Sequence, residues 1–287
     1  MYSVFIIGCG DIGQRVATLW QQREAKVSAL TRSDSSHAKL QTLNIQTYAG
    51  DLDQPEALTN LPLNNSLVYY FAPPPQHGIV DQRVRNFINS LTSNQYPKRL
   101  VYISTSGVYG NAKGEWVTEE TKPNPTTDRS RRRLYAETVL QAWGTQHNIP
   151  IVILRVPGIY GSDRLPVEVI KQGRPMLREE ESPFTNRIHA VDLARICVAA
   201  GEFNKPVGIY NVSDGNPGTM AQYFNAVADL MGLPRPPAVS WNEAKEHLSP
   251  AMMSYLTESR RIDNRKMLRD FNLTLLYPTL QDGLTAC

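Results

Sequence analysis

Val4-Phe5-Ile6-Ile7-Gly8-Cys9-Gly10-Asp11-Ile12-Gly13 stands at the head of the chain and decides how the rest is read. Four consecutive apolar residues, mostly β-branched, suit a short strand buried on both faces. The three glycines that follow keep the spacing G-x-G-x-x-G. Gly8 permits a tight turn, Gly10 lets the backbone approach a diphosphate with no Cβ in the way, and Gly13 lets helix and strand pack closely. A helical pattern continues over residues 12–22, with Val16, Leu19 and Trp20 on one side. The unpaired N–H groups of its first turn, Asp11 and Ile12 among them, and its positive end would face a phosphate. A bare glycine spacing is weak evidence; the strand before it and the helix after it give it weight. The alternative is a glycine-rich turn that holds no ligand. Cys9 reads as a small filler of the turn.

Working outward, residues 26–30, 45–48, 66–71, 100–103 and 151–154 read as further strands, and 83–91 and 130–145 as helices. This alternation predicts an α/β Rossmann-type fold with a doubly wound parallel sheet, because each parallel crossover needs a connection on one face. After Gly161 the rhythm changes. Residues 163–184 show no clear period, 191–201 and 219–231 look helical, and 208–212 resemble a strand. We therefore expect a dinucleotide-binding domain over residues 1–160. A smaller C-terminal α/β part, 161–287, would mainly bind substrate, with segments near 186–215 returning to the first sheet.

Composition excludes several classes. The chain has 287 residues, 41% hydrophobic and 20% charged, with 18 Gly and 20 Pro. Disorder would need fewer apolar residues, and collagen a strict glycine period. A net charge of +3 is too small to mark a nucleic-acid binder. Cys9, Cys197 and Cys287 form neither a disulfide framework nor a zinc motif, which suits a reducing compartment. No segment approaches the ~20 apolar residues of a membrane helix. The expectation is a cytoplasmic protein with a small-molecule substrate, no metal, and neither nucleic acid nor membrane as partner. It would be a monomer or homodimer: Leu134, Val139, Leu140 and Trp143 on the long helix could line a dimer or the core.

The end of the second strand reports on the dinucleotide. An acidic residue there would bond the ribose 2′-OH, and an arginine would suit a 2′-phosphate. The sequence reads Thr31-Arg32-Ser33-Asp34, and Arg32 can meet a phosphate with its fork. NADP is therefore favoured over NAD, although Asp34 could still reach a ribose. Asp51 after the third strand could contact adenine or merely end the strand. Ala72 after the fourth is expected beside the cofactor.

With these pieces placed, four more stretches carry a resemblance: residues 103–110 (Ile-Ser-Thr-Ser-Gly-Val-Tyr-Gly), 154–161 (Leu-Arg-Val-Pro-Gly-Ile-Tyr-Gly), 187–194 (Arg-Ile-His-Ala-Val-Asp-Leu-Ala) and Tyr210-Asn211-Val212. Taken with the opening glycines, in this order and spacing, they resemble the extended and atypical short-chain dehydrogenases/reductases. The type is the NAD(P)-dependent epimerases/dehydratases, and within them the YeeZ-like group, whose active-site motif is altered. The resemblance implies a Ser or Thr at the end of the fifth strand, here Thr105, that could bond a substrate oxygen. It also implies Tyr-x-x-x-Lys-x-x-x-Glu on the following helix, one residue per turn on one face. Glu137 fits the end of that pattern, so Arg133 stands at the Lys and Arg129 at the Tyr. Arginine keeps its proton at every working pH, so Arg129 cannot act as a general base. Arg133 can still bond the nicotinamide ribose. Tyr135 faces about 200° away and does not replace the lost tyrosine.

Arg131 and Arg132 read as a solvated face, whereas an inward Arg129 and Arg133 would favour an anionic ligand. Tyr109, Tyr160, Glu120 and His189 are further candidates for proton transfer, Tyr109 being retained among the catalytic set. Packing roles compete for all of them, and capping competes for His189 and Asp192. Two functional readings stand: an epimerase/dehydratase-like oxidoreductase acting on a small polar substrate, of which nucleotide sugars are one class, and a non-catalytic NAD(P)-binding sensor or scaffold. A sugar-nucleotide binder without a dinucleotide is a weaker third.

Overall fold

A computed structural model describes residues 2–287. The chain divides into two compact units. The first comprises Met1–Thr105, Asp128–Arg155 and Leu193–Tyr210; the second comprises Ser106–Thr127, Val156–Asp192 and Asn211–Cys287.

The first unit is built on strands β1 (Ser3–Ile7), β2 (Lys26–Thr31), β3 (Gln46–Ala49), β4 (Leu67–Tyr70), β5 (Arg99–Thr105), β6 (Ile151–Val156) and β7 (Gly208–Asn211). They form one seven-stranded sheet in the order β7-β6-β5-β4-β1-β2-β3. The pairs β1–β2, β1–β4, β2–β3 and β4–β5 are parallel. The order reverses between β1 and β4, and such a switch point leaves a crevice at the carboxyl ends of the strands.

Alternation along the strands distributes the core between two faces. Phe5, Ile7, Tyr70 and Tyr102 pack with Phe87 and Val84 of helix α3 (Gln82–Ser90) and with Ala136, Leu140 and Trp143 of helix α4 (Asp128–His147). On the other side Trp20 of helix α1 (Asp11–Gln21) donates its indole N–H to Tyr69 Oη at 2.8 Å. That hydroxyl in turn donates to the Cys197 carbonyl, at 2.9 Å, in helix α5 (Ala190–Gly201). Phe87 is fully buried, and its truncation to alanine would cost about 3–5 kcal/mol. The buried Arg99 guanidinium donates to the carbonyls of Ala200, Glu202 and Lys205, satisfying the acceptors that the end of α5 leaves open.

One helix was not apparent in the sequence. Helix α2 (Asp34–Thr42) joins β2 to β3 and buries only Leu40, so it has no apolar stripe. Ser33 starts it by accepting a bond from Ser36 N–H.

The second unit is made of short pieces. Gly158–Tyr160 pairs in parallel with Arg187–His189, Trp116–Val117 with Arg261–Ile262, and Met176–Leu177 with Ala238–Val239. Phe184–Thr185 runs antiparallel to Gly218–Thr219. Tyr223, Phe224 and Val227 of the helix Met220–Leu230 form its core with Tyr160, Met176 and Leu284. The stretch without a clear period contains the five-residue helix Val167–Lys171 and the two-residue strand Met176–Leu177, both too short to show one. Among the described residues no helix is long and apolar enough to cross a membrane, and no group of three or more His, Cys, Asp or Glu could hold a metal.

Candidate functional site

The turn after β1 is determined by contact. Gly8 has φ +86°, and a Cβ there would stand 2.4 Å from the Ala72 backbone nitrogen and 2.6 Å from its Cα. Only glycine tolerates both the angle and the approach. A Cβ on Gly13 would lie 3.1 Å from the Gly8 carbonyl oxygen, which explains the close fit of α1 against β1. Gly10 is different: a Cβ there would meet nothing within 4 Å. It faces open space and caps α1 with no side-chain hydrogen bond. The positive end of an eleven-residue helix therefore opens onto a surface with room for an anion.

That surface is one end of a groove of about 430 Å³. Gly8, Cys9, Gly10, Ala72 and Pro73 line it on the side of the glycine turn; Arg32, Ser33, Ser36, Asp51 and Arg83 supply its polar lining. Ile7, Leu30, Leu40, Leu52 and Phe71 supply apolar walls. Of the residues expected at a cofactor, Gly8, Gly10, Arg32, Asp51 and Ala72 line the groove. Asp11, Ile12, Gly13, Thr105 and Arg133 do not. Gly13 and Ile12 are buried beneath it in α1, and Asp11 Oδ1 accepts from Arg15 Nε at 2.8 Å. Burial pushes the Cys9 thiol up to about 12, so it remains protonated and inert. Arg83 had no sequence signal, because its partner Asp53 lies thirty residues away. The Arg83 hydrogen bond holds the Asp53 carboxyl below the usual carboxylate range.

A second constellation lies where α4 covers β5. Arg155 and Glu137, both almost fully buried, pair at 2.7 Å, and Ser104 Oγ donates to Glu137 Oε1 at 2.5 Å. One turn earlier Arg133 donates to Tyr102 Oη at 3.2 Å and to the Ile103 carbonyl at 3.0 Å. Burial pushes Tyr102 up to about 12 even though Arg133 opposes the shift. Thr105 and Arg129 are half-buried.

Arg132 corrects the sequence reading. It is not solvated: it is 6% exposed and donates to the Gly78 carbonyl. Residues 132, 136, 140 and 143 form one stripe at helical spacing, and Arg132 heads the stripe that Ala136, Leu140 and Trp143 bury. Only Arg131 faces water, 3.0 Å from Asp128.

The remaining candidates lie in the second unit. Tyr109 is buried and donates to Asn211 Oδ1 at 2.7 Å. Tyr160 Oη donates to the Thr279 carbonyl at 3.4 Å. His189 Nδ1 accepts from Val191 N–H, and its ring lies 4.1 Å from that of Tyr277. Asp192 accepts the N–H groups of Leu276 and Tyr277. Glu120 is exposed.

Comparison with known proteins adds the family. Human dTDP-D-glucose 4,6-dehydratase is 25% identical over 123 residues, covering 40% of this chain and 35% of that protein. The chain spans about a third of the length of the first curated relatives it matches. A functionally unknown conserved protein from Silicibacter pomeroyi has a TM-score of 0.83 at 24% identity, with 100% of this chain and 98% of that chain covered. The UDP-glucose 4-epimerase of Thermotoga maritima, solved with UDP-glucose, has a TM-score of 0.80 at 16% identity, with 99% and 96% covered. At these identities the two structures establish the fold alone. Residues 4–213 match the profile of the NAD dependent epimerase/dehydratase family, and the chain belongs to that family.

Proposed function

We propose that the groove of the first unit binds NADP in preference to NAD, and that the protein uses it as an epimerase/dehydratase-like oxidoreductase on a small polar substrate of the nucleotide-sugar class. The observation that carries the reading is the end of β2. No carboxylate lines the groove at Thr31-Arg32-Ser33; Arg32 does, beside the hydroxyls of Ser33 and Ser36. An arginine fork with two hydroxyls fits a 2′-phosphate, whereas a ribose 2′-OH would call for an acceptor. The diphosphate belongs at Gly10, where the backbone is open and the helix end is positive. The nucleotide-sugar class is taken from what the relatives' names state, and the human dehydratase and the bacterial epimerase are the examples.

When bound, the nicotinamide would supply or accept a hydride. The roles left to the chain are positional. Thr105 would donate its hydroxyl to a substrate oxygen. Arg133, tied to Tyr102 and Ile103, would hold a fixed positive charge near the nicotinamide ribose. Arg129 would contribute charge and no proton transfer.

That last point favours a second reading, a dinucleotide-binding sensor or scaffold without turnover. The residue at the tyrosine position cannot deprotonate, and the Arg133 guanidinium already serves the protein itself. One experiment divides the two. The protein is titrated with NADPH and NADH, then offered UDP-glucose, dTDP-glucose and simple carbonyl compounds while the reduced-nicotinamide absorbance is followed. Turnover supports the enzyme, binding without turnover supports the sensor, and absence of binding overturns both.

A further inference from the structure

Arg83 is a second cation in the lining of the groove, beside Arg32. Its Nε donates to Asp53 Oδ1 at 2.8 Å, its Nη2 to Asp53 Oδ2 at 2.6 Å, and its Nη1 to the Pro73 carbonyl at 3.0 Å. Every guanidinium nitrogen is thus committed, and the side-on fork that would grip a phosphate is held by a carboxylate. Three segments meet at this one planar group: the loop after β3, the loop after β4, and the first turn of α3. The side chain still forms part of the groove wall.

With its side-on edge occupied by Asp53, the guanidinium still offers its flat faces. A flat cation is a good neighbour for an aromatic plane, by stacking and by attraction to the π-cloud. Leu30, Leu52 and Phe71 line the same groove and give it the apolar surface that a base slot requires. Arg32 differs. It is exposed and has no ion pair among the described residues, so its fork is open to a phosphate.

We infer that Arg83 is the stacking wall for the adenine ring, held flat by Asp53 and Pro73, while Arg32 alone reads the 2′-phosphate. The inference rests on the nucleotide reading proposed above. It makes Arg83 a residue for affinity, shared by both dinucleotides, and Asp53 a positioning residue that acts through it.

The test uses the full chain and calorimetric titration with NADPH, NADH, 5′-AMP and reduced nicotinamide mononucleotide, which lacks adenine. Arg83→Ala should weaken the three adenine ligands by a common factor, about tenfold for the loss of one stacking partner, and leave the mononucleotide unchanged. Arg83→Lys keeps the charge but not the plane, and should weaken them to a similar extent. Asp53→Asn leaves the guanidinium present but loosely held, and should weaken the same ligands by roughly threefold. If the alanine variant fails to fold, the lysine and asparagine variants carry the test. Full affinity in Arg83→Lys, a loss confined to NADPH, or an equal loss of the mononucleotide would each overturn the inference. Native protein that binds NADPH, with variants that bind it as well, removes this inference alone. Native protein that binds neither NADPH nor NADH removes the nucleotide reading and this inference with it.

Discussion

The groove at the head of β1 and the face of α4 over β5 belong to the same unit and are built on opposite principles. The glycine-turn end of the groove is made of backbone: a positive-φ glycine pressed on Ala72, an open Gly10, a helix terminus. The α4 face is made of side chains: the Ser104–Glu137–Arg155 network, Arg133 on Tyr102, Arg132 on Gly78. A backbone device depends on the fold and on the lack of a side chain, so it leaves a plain signature. A side-chain device can change its chemistry while the helix keeps its place. On the proposed reading, the backbone cradle persists while Arg129 and Arg133 stand where the resemblance implies a Tyr and a Lys.

The α4 network should give the largest single effect. Glu137→Ala leaves the Arg155 charge buried without its carboxylate, and breaking such a pair costs about 3–5 kcal/mol. Urea denaturation measures it, and a loss under about 1 kcal/mol would show that the pair contributes little. The cradle should respond next, and unequally. Gly8→Ala forces a clash with the Ala72 backbone and should cost about 3 kcal/mol together with all dinucleotide binding. Gly10→Ala meets no neighbour, so stability should stay within about 0.5 kcal/mol while NADPH affinity falls tenfold or more. If both glycine variants destabilised the protein equally, the division between packing glycine and ligand glycine would be wrong.

Arg32→Ala is the third probe and touches a side chain in the otherwise backbone-made region. Loss of a charge-assisted phosphate contact, worth about 1.5–3 kcal/mol, should weaken NADPH by roughly ten- to a hundredfold. NADH should barely change. Equal effects on the two would remove the NADP preference.

The same contrast explains what the sequence could and could not convey. The core strands β1, β4, β5 and β6 each contain a run of four apolar residues, and the glycine spacing has a geometric cause, so both were legible. Helix α2 was not, because only Leu40 of its residues is buried. Arg132 was misread because a charge run suggests solvent, yet its i, i+4 and i, i+8 relation to Ala136 and Leu140 was available in the sequence. The Arg83–Asp53 pair was invisible, since no local pattern announces a contact across thirty residues. The paired strands of the second unit have two or three residues, too brief for period two to emerge.

The smallest effect expected is also the most specific to the α4 side. Asp81 precedes α3 and accepts the Val84 N–H, while its Oδ2 and the nearby Tyr70 hydroxyl are buried without hydrogen-bond partners. Burial pushes the Asp81 carboxyl up, against the opposing pull of that N–H and of Arg133. The native state therefore binds the proton more tightly than the unfolded chain, whose carboxyl titrates near ~3.9. The stability tied to that proton is fully present below about pH 4 and is lost as pH rises through the folded value. Asp81→Asn has no proton to lose and remains a good helix cap. It should be more stable than the native protein at neutral pH by about 1 kcal/mol, with the gap closing on acidification toward pH 4. A gap that widened on acidification would mean that Arg133, rather than burial, governs Asp81.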